Sequence, residues 1–148
     1  MTRRGWYNHS REHAMAAKGI RSKGRRVVEP MSTWSLLRNL PDAVRMERDK
    51  TYDGEASEAW SIFFRDGSRI DLAWEEIRHN QRETIEIWDI WAYPRGTGKG
   101  RLVIEALKAH ADKNEMGLCA IEVTNPDFWE HMHFREERGT YGSVYCYE

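Results

Sequence analysis

Thr84-Ile85-Glu86-Ile87-Trp88-Asp89-Ile90-Trp91-Ala92-Tyr93-Pro94-Arg95-Gly96-Thr97-Gly98-Lys99-Gly100-Arg101 is the stretch on which the fold turns. Thr84 to Ala92 is rich in β-branched and aromatic side chains, which suit a central strand. Three glycines then alternate with Thr97 and Lys99. Beyond them, Leu102, Val103, Ala106, Leu107, Ala109 and His110 recur at helical spacing, so Arg101 to Asn114 is predicted as an amphipathic helix. A strand that ends in glycines and opens a helix is a phosphate-binding device. The first helical N–H groups have no internal partner, and the helix dipole favours an anion there. Arg95, Lys99 and Arg101 add full charges. The loop alone is of modest specificity, because it has neither Gly-x-x-x-x-Gly-Lys-Ser/Thr nor Gly-x-Gly-x-x-Gly spacing. A plain solvent-facing turn is the competing reading.

Outward from this segment, the pattern is mixed. Trp60 to Arg65 and Ser68 to Trp74 flank Asp66-Gly67, a hairpin signal. Glu75 to Glu83 reads as a break before the central strand, and Asp49 to Glu58 as a loop. Ser32-Thr33 is a cap for a helix through Asn39, with Trp34, Leu37 and Leu40 along one side. Pro41-Asp42 is predicted to start a second short helix carrying Val44 and Met46. Val27-Val28 hints at a first strand. On the other side, Gly117 ends a turn, Leu118 to Val123 is a short apolar strand, and Pro126 to Met132 is a short helix with proline near its first turn. Tyr141 to Tyr147 closes the sheet. This order predicts an α/β fold that is not a strict βαβ repeat.

A chain of 148 residues, 40% apolar, suffices for one domain with its own core. No apolar run of 18 residues exists, and the N-terminus lacks an apolar signal region, so the expectation is a cytoplasmic protein with no membrane partner. Cys119 and Cys146 do not amount to a disulfide framework, and Cys119, in an apolar run, reads as a buried small residue. No zinc-type spacing appears, so no metal is expected. His131-x-His133 reads as surface histidines, and His9 and His13, four apart and able to share a helix face, lack a third ligand. Residues 1–26 hold eight arginines and lysines against Glu12 alone, a balance of +7, which leaves −8 on residues 27–148. The expected organisation is therefore a basic arm over 1–26, with one short helix from Ser10 to Gly19, joined to a domain over 27–148. The arm points to nucleic acid or another polyanion, or folds against the chain's own acidic body, or is simply solvated.

The segment Ile90 to Gly100 resembles the cofactor motif of the GNAT superfamily of N-acyltransferases, Arg/Gln-x-x-Gly-x-Gly/Ala at the start of a helix, with Arg95, Gly98 and Gly100 in register. The helix and strand that follow agree in length. Asn125-Pro126-Asp127-Phe128-Trp129-Glu130-His131-Met132-His133-Phe134 resembles that family's later Asn…Tyr-x-x-x-Gly-Phe segment. The likeness covers about residues 84–134 well and 27–83 by element order, and marks a divergent member. It implies a mixed, mostly antiparallel central sheet flanked by helices. It also implies transfer of an acetyl or similar acyl group from acetyl-CoA to an amine, and the family often forms homodimers. The turn Arg95, Gly96, Thr97, Gly98, Lys99, Gly100 and Arg101 would hold the pyrophosphate. The strand end at Ile90, Trp91 and Ala92 would bind the pantetheine and polarise the thioester carbonyl, and Asn125 and Trp129 would lie along the same arm.

An alkyl amine has a reference pKa of about 10.4 and attacks only when neutral, so a carboxylate must take its proton. Glu86 and Asp89 lie on the strand leading into the loop. Their odd spacing on a period-two element puts them on opposite faces. Glu86 has the strand parity of the base in several relatives and is favoured. An arginine-paired structural carboxylate is the alternative. Trp129 stands where many relatives hold a tyrosine that protonates the leaving thiolate, which leaves Tyr141, Tyr93 and His131 as stand-ins. Trp60, Trp74, Trp88 and Trp91 are core residues or the lining of an acceptor pocket. The competing function is a CoA- or ligand-binding module of the same fold without turnover, its arm contacting nucleic acid or a protein.

Overall fold

The structure, a computed structural model, describes residues 31–79, 81–138 and 143–147. The arm, its Ser10–Gly19 helix, the Val27-Val28 strand and Tyr141 lie outside the described residues. The elements run α1 (Thr33–Arg38), β1 (Ala43–Arg48), β2 (Glu58–Phe64), β3 (Arg69–His79), β4 (Arg82–Tyr93), α2 (Lys99–Lys113), β5 (Gly117–Ala120), α3 (Pro126–His131), β6 (Phe134–Arg138) and β7 (Ser143–Tyr147). The strands form one sheet in the order β1-β2-β3-β4-β5-β7-β6. Five of the pairings are antiparallel, and β4 with β5 is parallel. This is the mixed, mostly antiparallel α/β sheet expected. Among the described residues no helix is long and apolar enough to cross a membrane.

All three helices cover the same face of the sheet. Leu37 of α1, Val103, Ile104 and Leu107 of α2, and Trp129 of α3 with its C-cap Met132 join one buried cluster with Ile62, Leu72, Trp74, Ile85, Ile87 and Leu118. The apolar stripe of α2 read from the sequence is what enters this core. Ser32 caps α1 as expected, its Oγ accepting from the Ser35 N–H at 3.1 Å. The Thr33 hydroxyl donates to Glu76 at 2.9 Å, which ties α1 to β3.

Several expectations are corrected. Residues 43–48 form the edge strand β1, not a helix. Pairing with β2 supplies backbone partners that a short, largely exposed helix would not improve on. Residues 75–79 continue β3 instead of breaking it, and β3 and β4 form a long hairpin. The strand β6 starts at Phe134, the last residue of the motif segment, and runs on to Arg138, through residues to which the sequence pattern assigns no element. Cys119 and Cys146 are joined in a disulfide. They lie directly opposite each other in the β5–β7 register, a non-local pairing that a separation of 27 residues does not reveal.

Candidate functional site

β4 and β5 run side by side over Thr84–Ile87 and Gly117–Ala120, and then part. Two local features cause the separation. Just past the end of β5 the Ile121 N–H still donates to the Ile87 carbonyl at 3.0 Å, but the Val123 N–H donates to the Ser143 carbonyl at 3.1 Å, on the far side. Glu122 between them swivels the chain, with φ at 53°. That is the left-handed region, uncommon for a side chain other than glycine and costly enough that such residues concentrate at functional sites. In β4 a bulge at Trp88 breaks the register, since Trp74 faces Ile87 and Ala73 faces Asp89. The backbone of β4 from Trp88 to Ala92 therefore has no β5 partner.

The gap is a cavity of about 490 Å³. Ile87 to Ala92 form one wall and Ala120 to Asn125 the other. Phe128 and Trp129 close one side, and Arg95 to Gly98 with Gly100 and Arg101 form the end. That end is the N-terminus of α2. Gly98 is its N-cap at φ 80° and makes no side-chain capping bond, while the Thr97 hydroxyl accepts the Lys99 N–H at 3.4 Å. Gly96 is at φ 83°, and a Cβ on either glycine would meet nothing within 4 Å, so the space beside the loop is open. The first intrahelical bond runs from the Leu102 N–H to the Gly98 carbonyl at 3.0 Å. The N–H groups of Gly100 and Arg101 precede it, in residues that line the cavity. An anion placed there meets unsatisfied donors and the positive end of a 15-residue helix.

The sequence-predicted residues divide sharply. Ile90, Trp91, Ala92, Arg95, Gly96, Thr97, Gly98, Gly100, Arg101, Asn125 and Trp129 all line the cavity. Asn125 is the N-cap of α3 but makes no capping bond through its side chain, so its amide is not committed to the helix. The Arg95 guanidinium lies 5.2 Å from the centroid of the Trp91 ring, within cation–π reach. Trp129 is 3% exposed and packs edge-on against Phe128 and Phe134, so it is a core residue whose border forms the cavity floor. Lys99 points elsewhere. Its Nζ is 2.7 Å from Asp66 in the β2–β3 turn and 5.2 Å from the centre of the Phe64 ring. The lysine hydrogen bond, helped by the Ser68 hydroxyl and N–H, holds the Asp66 carboxyl well below the usual range. Lys99 is a strut between loop and hairpin.

The carboxylates also separate, and the parity expectation fails. Glu75 faces Glu86 and Ala73 faces Asp89, so Glu86 and Asp89 lie on the same face of the sheet. The extra residue of the bulge, Trp88, resets the alternation between them. Glu86 is buried beside Glu75 and does not line the cavity. Asp89 does line it. Although one side of Asp89 is open to solvent, partial burial in the wall raises its pKa. Hydrogen bonds from the Ile90 N–H and the Trp91 side chain oppose this, and the charges of Asp71 and Asp49 reinforce it. Glu122, which the sequence reading did not select, is a second carboxylate on the lining, and only its backbone setting distinguishes it. Trp88 and Trp91 line the cavity, whereas Trp74 is core and Trp60 is half-buried against Trp34.

No protein-family profile matches the chain, and no curated protein matches it. Solved structures do. One is an N-acetyltransferase of Bacillus subtilis, YlbP, in complex with coenzyme A, at 18% identity and a TM-score of 0.42. The match covers 61% of this chain and 66% of that one, just under two thirds of its length. Another is a tetramutant of the protein BH1408 of Bacillus halodurans, at 16% identity and a TM-score of 0.43 over 91% of this chain and 88% of that one.

Proposed function

We propose that the chain binds an acyl-CoA and transfers its acyl group to an amine. The observation that carries this is the parting of β4 from β5 directly onto the N-terminus of α2, where the Gly100 and Arg101 N–H groups precede the first intrahelical bond. That arrangement puts an apolar slot and an anion-binding helix end in one cavity, and its size lies within the usual range of small-molecule sites. The residues suit the group. Open space beside Gly96 and Gly98, free N–H donors and the Arg95 and Arg101 cations match a pyrophosphate. The unpaired edge of β4 and the Asn125 amide match an extended chain that carries amides. Acetyl-CoA, the donor favoured by the sequence resemblance, supplies a thioester-activated acyl group there.

In this reading the chain's residues do four things. The α2 loop anchors the phosphates. The edge of β4 aligns the pantetheine like a missing strand, and one of its N–H groups stands at the carbonyl oxygen where negative charge develops. Asp89 accepts the proton of the attacking amine as the N–C bond forms and the C–S bond breaks. A thiolate is a tolerable leaving group, so turnover does not require an acid at Trp129. Asp89 takes the role from Glu86 because it lies on the cavity wall and its raised pKa favours proton acceptance.

The test is thiol release from acetyl-CoA against a panel of amines, with Asp89→Asn and Glu86→Gln beside the natural chain. Release that falls about 100-fold or more in Asp89→Asn, the usual scale for a lost general base, supports the reading. Loss in Glu86→Gln alone, with its fold intact, returns the role to Glu86. Binding without release in any arm favours a CoA-binding module without turnover, the reading that the buried Trp129 at the acid position supports.

A further inference from the structure

The charges of the cavity are sorted along its length. Its charged lining residues are Arg95, Arg101, Asp89 and Glu122. The two arginines stand at the wide end, by the N-terminus of α2. The two carboxylates stand at the narrow head. There β4 and β5 are last paired at Ile87 and Ala120, and the Ile121 N–H bonds back to Ile87. Glu122 follows that bond directly on one wall, and Asp89 lies just past the Trp88 bulge on the other. Both act on the Tyr52 hydroxyl. Burial raises its pKa, the Ala56 N–H that it accepts opposes this, and the charges of Asp89, Glu75 and Glu122 reinforce it. Trp88, packed on the same alanines as Tyr52, lines the head as well.

No cation of the cavity is set against these two carboxylates. Among the described residues Asp89 and Glu122 enter no ion pair. The acids behind them are already engaged, Asp71 with Arg69 at 3.1 Å and Asp49 with the Thr51 hydroxyl at 2.6 Å. Their charges nonetheless add to the effect of burial on Asp89. A molecule entering the head therefore meets a negative field between the Trp88 and Trp91 rings. Such a setting attracts a cation, through the carboxylates and the ring faces alike, and repels a carboxylate.

In the acyltransferase reading, on which this inference rests, a pyrophosphate at α2 sets the thioester toward the narrow head. The reacting nitrogen enters neutral, having left one proton in solvent. It passes the next proton to Asp89 as the N–C bond forms and the C–S bond breaks. The thiolate leaves with the electron pair and is protonated by solvent. This step uses Asp89 and leaves Glu122 facing the same space. We propose that the acceptor is a di- or polycationic alkylamine without a carboxylate, and that Glu122 holds its second, non-reacting ammonium group. Glu122 then sets the choice of acceptor and Asp89 the chemistry. Amino acids are disfavoured, because their carboxylate meets the same field.

The test gives the full chain three probes of one carbon length. Putrescine is the diamine, butylamine its monoamine, and γ-aminobutyrate carries a carboxylate in place of the second amine. Two readouts are taken: kcat/KM for thiol release from acetyl-CoA, and calorimetric binding of each probe with CoA present, which needs no turnover. Putrescine should exceed butylamine by about 10-fold or more, the scale of one charge-assisted hydrogen bond, and γ-aminobutyrate should fall below both. Glu122→Gln should bring the putrescine-to-butylamine ratio close to one, chiefly through KM. Glu122→Asn, better suited to left-handed backbone, serves if Glu122→Gln disturbs the turn. A general loss of fold would lower both probes alike and leave the ratio unchanged. A ratio near one in the natural chain, a ratio unmoved in the folded Glu122 variant, or γ-aminobutyrate as the best probe overturns the proposal, and thiol release with any probe would then leave acyl transfer standing. Selective, Glu122-dependent binding of putrescine without release keeps the cation subsite and removes acyl transfer. No binding of putrescine overturns the subsite whatever the release.

Discussion

Gly98 offers a perturbation whose effects on stability and on binding can be separated. It holds φ 80° at the N-cap of α2, and a Cβ there would meet nothing within 4 Å. Gly98→Ala therefore introduces backbone strain without a clash. Left-handed backbone costs an L side chain about 1–2 kcal/mol. At about 2–4 °C per kcal/mol for a chain of this size, the melting temperature should fall by roughly 2–8 °C. Gly67 is the control. It holds φ 88° in the β2–β3 turn, also with nothing within 4 Å of a Cβ, and does not line the cavity. Gly67→Ala should lower the melting temperature by a similar amount. The two variants diverge in CoA binding. Alanine at 98 relaxes toward negative φ and turns the loop N–H groups away from a bound pyrophosphate. Losing one charge-assisted hydrogen bond of about 1.5–3 kcal/mol corresponds to roughly 10- to 150-fold in Kd. Isothermal titration calorimetry with CoA reads this directly. Equal melting losses with unchanged Kd in Gly98→Ala would refute the loop as the phosphate cradle. Equal Kd losses in both variants would show that strain anywhere disturbs the site.

Three further outcomes follow from the same geometry. The acid limb of kcat/KM should lie above the usual carboxylate range, because Asp89 works deprotonated and burial raises its pKa. Activity then falls as pH drops through that raised value, and Asp89→Asn should abolish the limb, as a pH–rate profile would show. Lys99→Met should let the Asp66 pKa climb back toward the ordinary range, measurable by NMR titration of its carboxyl, because the lysine is the largest of the groups depressing it. Gly117→Ala should destabilise by about 1–3 kcal/mol, since its Cβ would sit 2.7 Å from Thr84 Oγ1 and 3.2 Å from its Cγ2 on the neighbouring strand. Adding Thr84→Ala should recover part of that loss in a denaturation double-mutant cycle.

The strand, loop and helix around Arg95–Gly100 could be read from the sequence because their signals are local. Glycine pairs, helical periodicity and β-branched runs are set by neighbours a few residues apart. What escaped depends on distant partners. Residues 43–48 become a strand because β2 offers them backbone pairs, and no window of a few residues contains that fact. The β5–β7 register that brings Cys119 to Cys146 is equally non-local. The bulge at Trp88 is the most consequential omission. One extra residue reverses the alternation between Glu86 and Asp89, and so changes which carboxylate reaches the cavity. Lys99 was misplaced for a similar reason. Its position in the loop is right, but Asp66, 33 residues earlier, draws its side chain away.

The central claim is that the gap between β4 and β5 is an acyl-CoA site, and the melting temperature with and without acetyl-CoA tests it most directly. At a free concentration of about 100 times Kd, linkage gives roughly 2.7 kcal/mol of stabilisation, or about 5–11 °C. A rise of that size for the natural chain, much reduced at the same concentration in Gly98→Ala, is the predicted result. No shift with acetyl-CoA or any longer acyl-CoA would contradict the account.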